Sequence, residues 1–331
     1  MKVLEVSRYK GTMAGGISPF VLEQGEAIRA AGCEVEFFLI KGNYLKAVGA
    51  LKRKIREFRP DIVHAHFGLS AITAELQGLV PVVTTFHNGE TLNWHVNLMS
   101  SLMSLRAKLV IYVAQHIRDL SYFKARQYSI IPCGVPMEQM TIVPQTEARR
   151  QLGWDLNKKY ILFGGAFSNE RKNYALLKQA VDIINSNPSS VNPLIPSPIT
   201  CVEMKGLSRA ECVQRMNACD LFALPSHSEG SPQALKEAMA CNCPCLATDI
   251  ADVRELFGDA QGHFILRNPR KTHERWDADE HSLDEMVALL KEALMFEGRT
   301  NGRQRILELE LSNEQVAKRI ITIYNNILNK K

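Results

Sequence analysis

Short apolar runs alternate with longer amphipathic segments along most of the chain. Val3 to Val6, Val35 to Ile40, Asp61 to His66, Val80 to Thr85, Lys108 to Val113 and Tyr128 to Ile131 have strand length. Between them, over 17–31, 44–58, 70–77, 91–105 and 115–124, apolar residues recur at the three-to-four spacing of a helix. Residues 137–155 read as a polar connection. The alternation resumes at Tyr160 to Gly165, with helices over 174–186 and 208–218 and strands over Ile199 to Met204 and Leu221 to Leu224. A helix after Pro232, a strand over Pro244 to Thr248 and helices over 282–296 and 313–329 complete it, and 185–198, rich in Asn, Ser and Pro, reads as a surface loop. Strands alternating with helices predict an α/β protein with doubly wound parallel sheets, whose ligands sit at the carboxyl ends of the strands.

Length and composition narrow the class. The 331 residues suit two domains, and 46% hydrophobic with 23% charged residues is the balance of globular proteins. No apolar run reaches the roughly 18 residues of a membrane span. The first residues have a strand pattern rather than a signal-peptide pattern, so the expected location is cytoplasmic. The eight cysteines lack disulfide-framework or C-x-x-C spacing, and Cys241, Cys243 and Cys245 read as small buried hydrophobes.

Charge adds one feature. Residues 1–150 hold 18 Lys and Arg against 12 Asp and Glu, so the chain's excess of five positive charges belongs to its first half. It concentrates at Lys46, Lys52, Arg53, Lys54, Arg56 and Arg59, where Val48, Leu51, Ile55 and Phe58 repeat at helical spacing. A basic helix over 46–59 could lie peripherally on the anionic inner face of the cell membrane, and the solvated outer helix of an α/β domain has the same pattern. Nothing resembles a nucleic-acid module, and Trp94, Trp154 and Trp276 read as packing residues.

The candidate chemistry sits after strands. The stretch from Ser226 to Ala240 reads as a strand end, a tight loop and a helix, with Ser231 as helix cap and Pro232 in the first turn. Free N–H groups and the helix dipole there suit a phosphate, which Gly230 lets approach. Glu229 and Glu237, eight positions apart, suit sugar hydroxyls better than phosphate. Gly15-Gly16 is neither a dinucleotide fingerprint nor a P-loop, yet allows close backbone approach to an anion. His87 follows another strand. Arg171-Lys172 offers two cations for a diphosphate. Arg171 and Lys172 are expected to supply the positive charge without a metal.

These residues resemble the retaining glycosyltransferases of family four, also called glycosyl transferases group 1, which have the GT-B fold. The resemblance rests on Ser226-x-x-Glu229-Gly230-x-Pro232, Glu237-Ala238-Met239-Ala240-Cys241 and Pro244, supported by Gly15-Gly16, His64-x-His66, Thr85-x-His87 and Ile131-Pro132-x-Gly134-Val135. It implies two Rossmann-like domains facing across a cleft. Residues 1–140 would form the acceptor side, 141–310 the donor side, and 311–331 a C-terminal helix returning to the first domain. Glu229 would touch the donor sugar and Glu237 the ribose. Gly16, Gly230 and Ser231 would meet the diphosphate, and Gly206 and Leu207 would flank the base. His87 would lie near the reacting sugar. Arg171 and Lys172 would neutralise the leaving group, with Ala166 standing where many members have Arg. Residues 187–199 are expected to lack a strand–helix unit of the family. The implied enzyme is a metal-independent hexosyltransferase taking a UDP- or GDP-linked sugar to a hydroxyl of a glycan or lipid-linked acceptor, for a bacterial surface polysaccharide. The other readings are a GT-B-like sugar-nucleotide epimerase, which needs no acceptor, and a non-catalytic sugar-nucleotide binder.

Overall fold

The computed structural model describes residues 1–11, 14–186, 198–267 and 280–329. The chain divides into two compact units, Met1–Gly134 with Glu310–Lys331, and Val135–Leu309. The expected strand–helix deletion falls mostly on residues 187–197, and Trp276 on 268–279, all outside the described residues.

The first unit runs β1 (Lys2–Arg8), α1 (Pro19–Ala30), β2 (Glu34–Ile40), α2 (Ala47–Phe58), β3 (Ile62–His66), α3 (Gly68–Glu75), β4 (Val82–Phe86), α4 (Trp94–Ser104), β5 (Leu109–Tyr112), α5 (Gln115–Leu120) and β6 (Tyr128–Ile130). The second runs α6 (Gln145–Leu152), β7 (Tyr160–Phe163), α7 (Tyr174–Ser186), β8 (Thr200–Glu203), α8 (Arg209–Ala218), β9 (Leu221–Leu224), α9 (Gln233–Ala240), β10 (Cys245–Thr248), α10 (Val253–Phe257), β11 (His263–Leu266), α11 (Glu280–Met295) and α12 (Gly302–Glu308). Helix α13 (Asn313–Leu328) belongs to the first unit.

Both sheets are parallel and doubly wound, as the hydrophobic pattern predicts. Their strand orders are β2-β1-β3-β4-β5-β6 and β11-β10-β9-β7-β8. In each, the first strand has its successor on one side and the third strand on the other. The crevice at such a switch point opens at the carboxyl ends of β1 and β3, and of β7 and β9.

Alternation along β1 and β3 decides which side chains meet. Val3 and Ile62 pack with Ile28 of α1 and with Val316, Ile320 and Tyr324 of α13. Leu4, Val6, Val63 and Ala65 point the other way, onto Leu51, Ile55 and Phe58 of α2. Glu5, His64 and His66 share the parity of Val3 and Ile62, and so lie on the α13 face. Each buried aliphatic side chain contributes about 1.5–3 kcal/mol of transfer free energy. In α2 this consumes the apolar stripe of Leu51, Ile55 and Phe58: Arg53, Arg56 and Glu57 are exposed, and Lys54 pairs with Glu36 of β2.

Three local readings change. The stretch read as a polar connection contains α6, which faces inward through Ala148 and Arg149. The buried Arg149 guanidinium bonds Asp220 (2.6 Å) and the Ala218 carbonyl (2.9 Å), so a polar pattern hides a packed helix. Trp94, expected to pack, is 59% exposed. Ser231 does not cap α9; the cap position is Pro232, and the Ser231 hydroxyl donates to Asp252 instead (2.6 Å).

Helices α3 and α4 approach closely at Gly68. A Cβ there would lie 2.2 Å from the Ser100 Cβ. Gly68→Ala is therefore expected to destabilise by about 1–3 kcal/mol in urea unfolding. Adding Ser100→Gly should make the pair more stable than the sum of the two single changes by about 1 kcal/mol.

Candidate functional site

In the second unit the candidate residues emerge at the β7/β9 switch point. After β7 come Gly164 and Gly165, where a Cβ would meet Phe222 at 2.6 Å and the Lys172 stem at 3.2 Å. These glycines let the loop fold back and bring Arg171 and Lys172 beside the loop after β9. The His227 N–H donates to the Arg171 carbonyl (2.9 Å), and the Arg171 guanidinium donates to the Ser228 carbonyl, so the two loops are tied by one backbone–backbone and one side chain–backbone bond.

Glu229 closes the tie. The Lys172 ammonium donates to its Oε1 at 2.6 Å, and Arg171 Nη1 lies 3.3 Å from its Oε2. Burial pushes this carboxyl up, but Lys172 and Arg171 outweigh it and hold Glu229 below the ordinary carboxylate range. Arg171, Lys172 and Glu229 thus form one ion cluster. Gly230, Ser231 and Pro232 run from it to the start of α9, where Ser231 is held by Asp252. Burial raises the Asp252 carboxyl, opposed by the buried Lys236 and the Ser231 hydroxyl.

Glu237 lies one turn inside α9 and pairs with Arg209, the first residue of α8. Burial raises Glu237, with Arg209 pulling it back. Gly206 and Leu207 lead into that helix; Gly206 is exposed at φ 69°, and Leu207 is half-buried. Arg209 and Asp252 were not singled out in the sequence. Arg209 was legible in part, because Ser208 and Glu211 form a capping box that fixes where α8 begins.

In the first unit Gly15 and Gly16 both have positive φ, 65° and 72°. A Cβ on Gly16 would lie 2.0 Å from the Tyr9 ring, so the glycine is sterically required. Two residues separate them from α1, which starts after Ser18 with Pro19 in its first turn. Lys10 sits 4.7 Å over the Phe67 ring, and burial lowers its pKa against the pull of Glu90.

His87 ends a chain of bonded groups. The His66 Nε2 lies 2.7 Å from Glu5 Oε2, and its Nδ1 lies 3.2 Å from His87 Nε2. A carboxylate accepts only, so with both rings neutral His66 donates through Nε2, His87 donates through Nε2, and the His87 Nδ1 lone pair faces the Cys133 thiol at 3.6 Å. Phe20 and Phe67 flank the His87 ring, each with centroid 4.8 Å away. Glu90 fixes the backbone beneath it, accepting from the N–H groups of Gly68 (2.8 Å) and His87 (3.1 Å). His64 bonds Tyr324 (2.5 Å) and Thr85 (2.7 Å); burial, with His66 and His87 adding, lowers its pKa far enough to keep it neutral.

Ligand atoms of Glu5, His64 and His66 lie within 4.8 Å of one another, close enough for a metal ion. The sequence showed the His64-x-His66 pair but not Glu5, which stands on a different strand. The ring nitrogens already bond Tyr324, Thr85, His87 and Glu5, so an ion there would displace those bonds. The cysteines are free thiols, and Cys219, Cys241, Cys243 and Cys245 are buried.

Residues 40–139 match the profile of Glycosyltransferase Family 4, and residues 202–278 that of Glycosyl transferases group 1. TuaC of Bacillus subtilis, a glycosyltransferase assigned to teichuronic acid biosynthesis, is 27% identical over 237 residues, which span 65% of this chain and 59% of TuaC. A D-inositol 3-phosphate glycosyltransferase of Pseudarthrobacter chlorophenolicus is 21% identical over 76% of this chain and 78% of its own length. Among solved structures, sucrose-phosphate synthase from Thermosynechococcus elongatus superposes with a TM-score of 0.78 at 15% identity, covering 100% of both chains. HepE of Anabaena, solved with UDP-glucose, does so with a TM-score of 0.71 at 15% identity, over 98% of this chain and 100% of that one.

Two measurements check the geometry. Glu229 has a lowered folded-state pKa, so its stabilisation is complete above the unfolded value and is lost as pH falls through the folded one. The wild-type protein is expected to lose more stability than Glu229→Gln as the pH drops below about 4.5, and Glu229→Gln to be the less stable by about 2 kcal/mol at pH 7. Long-range nitrogen–proton NMR should find both His66 and His87 protonated at Nε2 above pH 8, and a mixture of tautomers in Glu5→Gln.

Proposed function

The chain belongs to the family 4 glycosyltransferases and has their GT-B fold, and from that footing we propose that it is a retaining hexosyltransferase. Its donor is a UDP- or GDP-linked sugar, and its acceptor a hydroxyl of a glycan or lipid-linked glycan. The observation that carries this reading is the Glu229 carboxylate clamped by Lys172 and Arg171 at a strand switch point, with a second neutralised carboxylate, Glu237, eight residues on. TuaC's assignment to teichuronic acid biosynthesis supports a bacterial surface polysaccharide as the product, and HepE's UDP-glucose supports a nucleotide-sugar donor.

In this reading the second unit holds the donor. Glu229 orients sugar hydroxyls, and Glu237, with Arg209, meets the ribose. Gly206 and Leu207 flank the base. As the bond from the anomeric carbon to the diphosphate breaks, the electron pair leaves with phosphate. Lys172 and Arg171 stabilise that charge, with the free N–H groups around Gly230 to Pro232 adding to it. The acceptor oxygen bonds to the anomeric carbon on the face that the diphosphate leaves, and its proton passes to the departing phosphate. Within the first unit, His87 and the Gly15-Gly16 loop offer polar and backbone groups to a hydroxyl or an anion. No metal takes part, and the enzyme works in the cytoplasm, where nucleotide sugars are made. The outward cations of α2 offer attraction to an anionic membrane.

Nucleotide release from a panel of UDP- and GDP-sugars tests it. One donor should be consumed, more quickly with acceptor, and with the anomeric configuration retained by NMR of the product. Lys172→Met should lower kcat by about 10²–10³. Glu237→Gln should chiefly weaken nucleotide binding, by about tenfold. EDTA should change nothing. A chain that binds no nucleotide overturns the reading, and interconversion of sugar nucleotides without acceptor replaces it with an epimerase.

A further inference from the structure

Helix α4 is built inside out. Its buried positions are Asn97, Ser100, Ser101 and Ser104. The Ser101 and Ser104 hydroxyls donate to carbonyls of their own helix, at Asn97 (2.6 Å) and Ser101 (2.6 Å), so they turn inward with their hydrogen bonding satisfied. Small inward side chains let α3 come close at Gly68. The apolar residues are left outside: Trp94 is 59% exposed, Leu98 37%, Met99 43%, Leu102 41% and Leu105 45%. Steps of four, one, three and three place them on one stripe. The buried Asn97 ties the next segment to the helix, donating to the Leu120 carbonyl (2.8 Å) and accepting from the Tyr122 N–H (3.3 Å). That holds the next segment alongside, where Tyr122 and Phe123 are also exposed.

A contiguous apolar face of this kind marks an interaction surface. Its charge surroundings select the occupant. Between residues 91 and 131 the chain has five cations, Arg106, Lys108, Arg118, Lys124 and Arg126, against one acid, Asp119. A second copy of the chain would set two cationic rims against each other. An anionic lipid surface satisfies both features, taking the apolar stripe into the acyl boundary and the cations onto phosphates, with Trp and Tyr at the headgroup level. Helix α2 cannot serve in the same way, because its Leu51, Ile55 and Phe58 are buried in the core.

We infer that the outer face of α4, with residues 120–123, is a membrane-docking surface for anionic lipid. It holds the first unit on the bilayer by shallow insertion, and α2 adds only electrostatic attraction. The residues of this stripe are 37–59% exposed, so polar substitutes there keep access to water and leave the buried core unchanged.

Vesicle flotation with the full chain tests this. Vesicles of phosphatidylcholine with about 30% phosphatidylglycerol should carry the protein up the gradient, and pure phosphatidylcholine should not. Leu98→Ser/Leu102→Ser/Leu105→Ser should reduce the bound fraction at least tenfold with an unchanged far-ultraviolet spectrum and Tm. Lys52→Glu/Arg53→Glu on α2 should reduce it less. In a chain whose other tryptophans are replaced by Phe, Trp94 emission should shift to the blue on vesicle addition and be quenched by brominated lipid. Three results would each overturn the inference: no binding to anionic vesicles, binding unaffected by the α4 substitutions, or a dimer in solution that the same substitutions dissolve. The readout needs no substrate, so its failure leaves the glycosyltransferase reading standing.

Discussion

Every candidate residue stands where it does because parallel strands cannot be joined by tight turns. Each connection must cross back over the sheet through a helix, so all strands of a sheet present their carboxyl ends on the same edge. Loops far apart in sequence are thereby gathered. In the second unit this brings Arg171 and Lys172, after β7, against Glu229, after β9. In the first it brings His66, Phe67, His87 and Cys133 together, from the ends of β3, β4 and β6.

Charge buried at those edges has to be balanced within the fold, because an isolated charge taken from water is costly. Glu229 is balanced by two cations, Glu237 by Arg209, and Asp252 by Lys236 and a serine hydroxyl. The balance is not uniform. The Glu229 carboxyl is lowered, whereas Glu237 and Asp252 are raised by their burial. The acid set beside Lys172 and Arg171 is therefore the one most firmly held as an anion, and its position is fixed before any ligand arrives. Such preorganisation is where a polar site gains most, since little reorientation remains to be done during reaction.

The sequence carried the sheets and their helices well, because buried parallel strands write unbroken apolar runs and their helices write a clean three-to-four period. It failed where packing rests on something other than apolar surface. Helix α6 packs through a paired arginine, and the edge strand β11 opens on a polar residue, His263, so it writes no unbroken apolar run. The residue types of the candidate site were legible: Glu229, Arg171, Lys172 and His87 follow strands, and Glu237 lies one turn inside α9. Their partners were not. Glu5 beneath His66, Tyr324 beside His64 and Arg209 on Glu237 depend on strand order and on a helix more than two hundred residues away, which no local pattern encodes. Ser231 shows the converse error, since a good capping residue found a stronger acceptor in Asp252.

Helix α13 has a consequence for how the molecule is made. Val316, Ala317, Ile320 and Tyr324 complete the core against β1 and β3, and Tyr324 satisfies the buried His64. The ribosome delivers β1 first and this helix only after the whole second unit has been synthesised. Domains tend to fold as they emerge. Here the unit that begins emerging first is the one that must wait, its sheet open along the α13 face for the time taken to make residues 135–309. The second unit has all its parts in one unbroken stretch and is free to fold during that interval. The order of folding would thus run against the order of synthesis, with the exposed strands of the nascent first unit a natural client for chaperones.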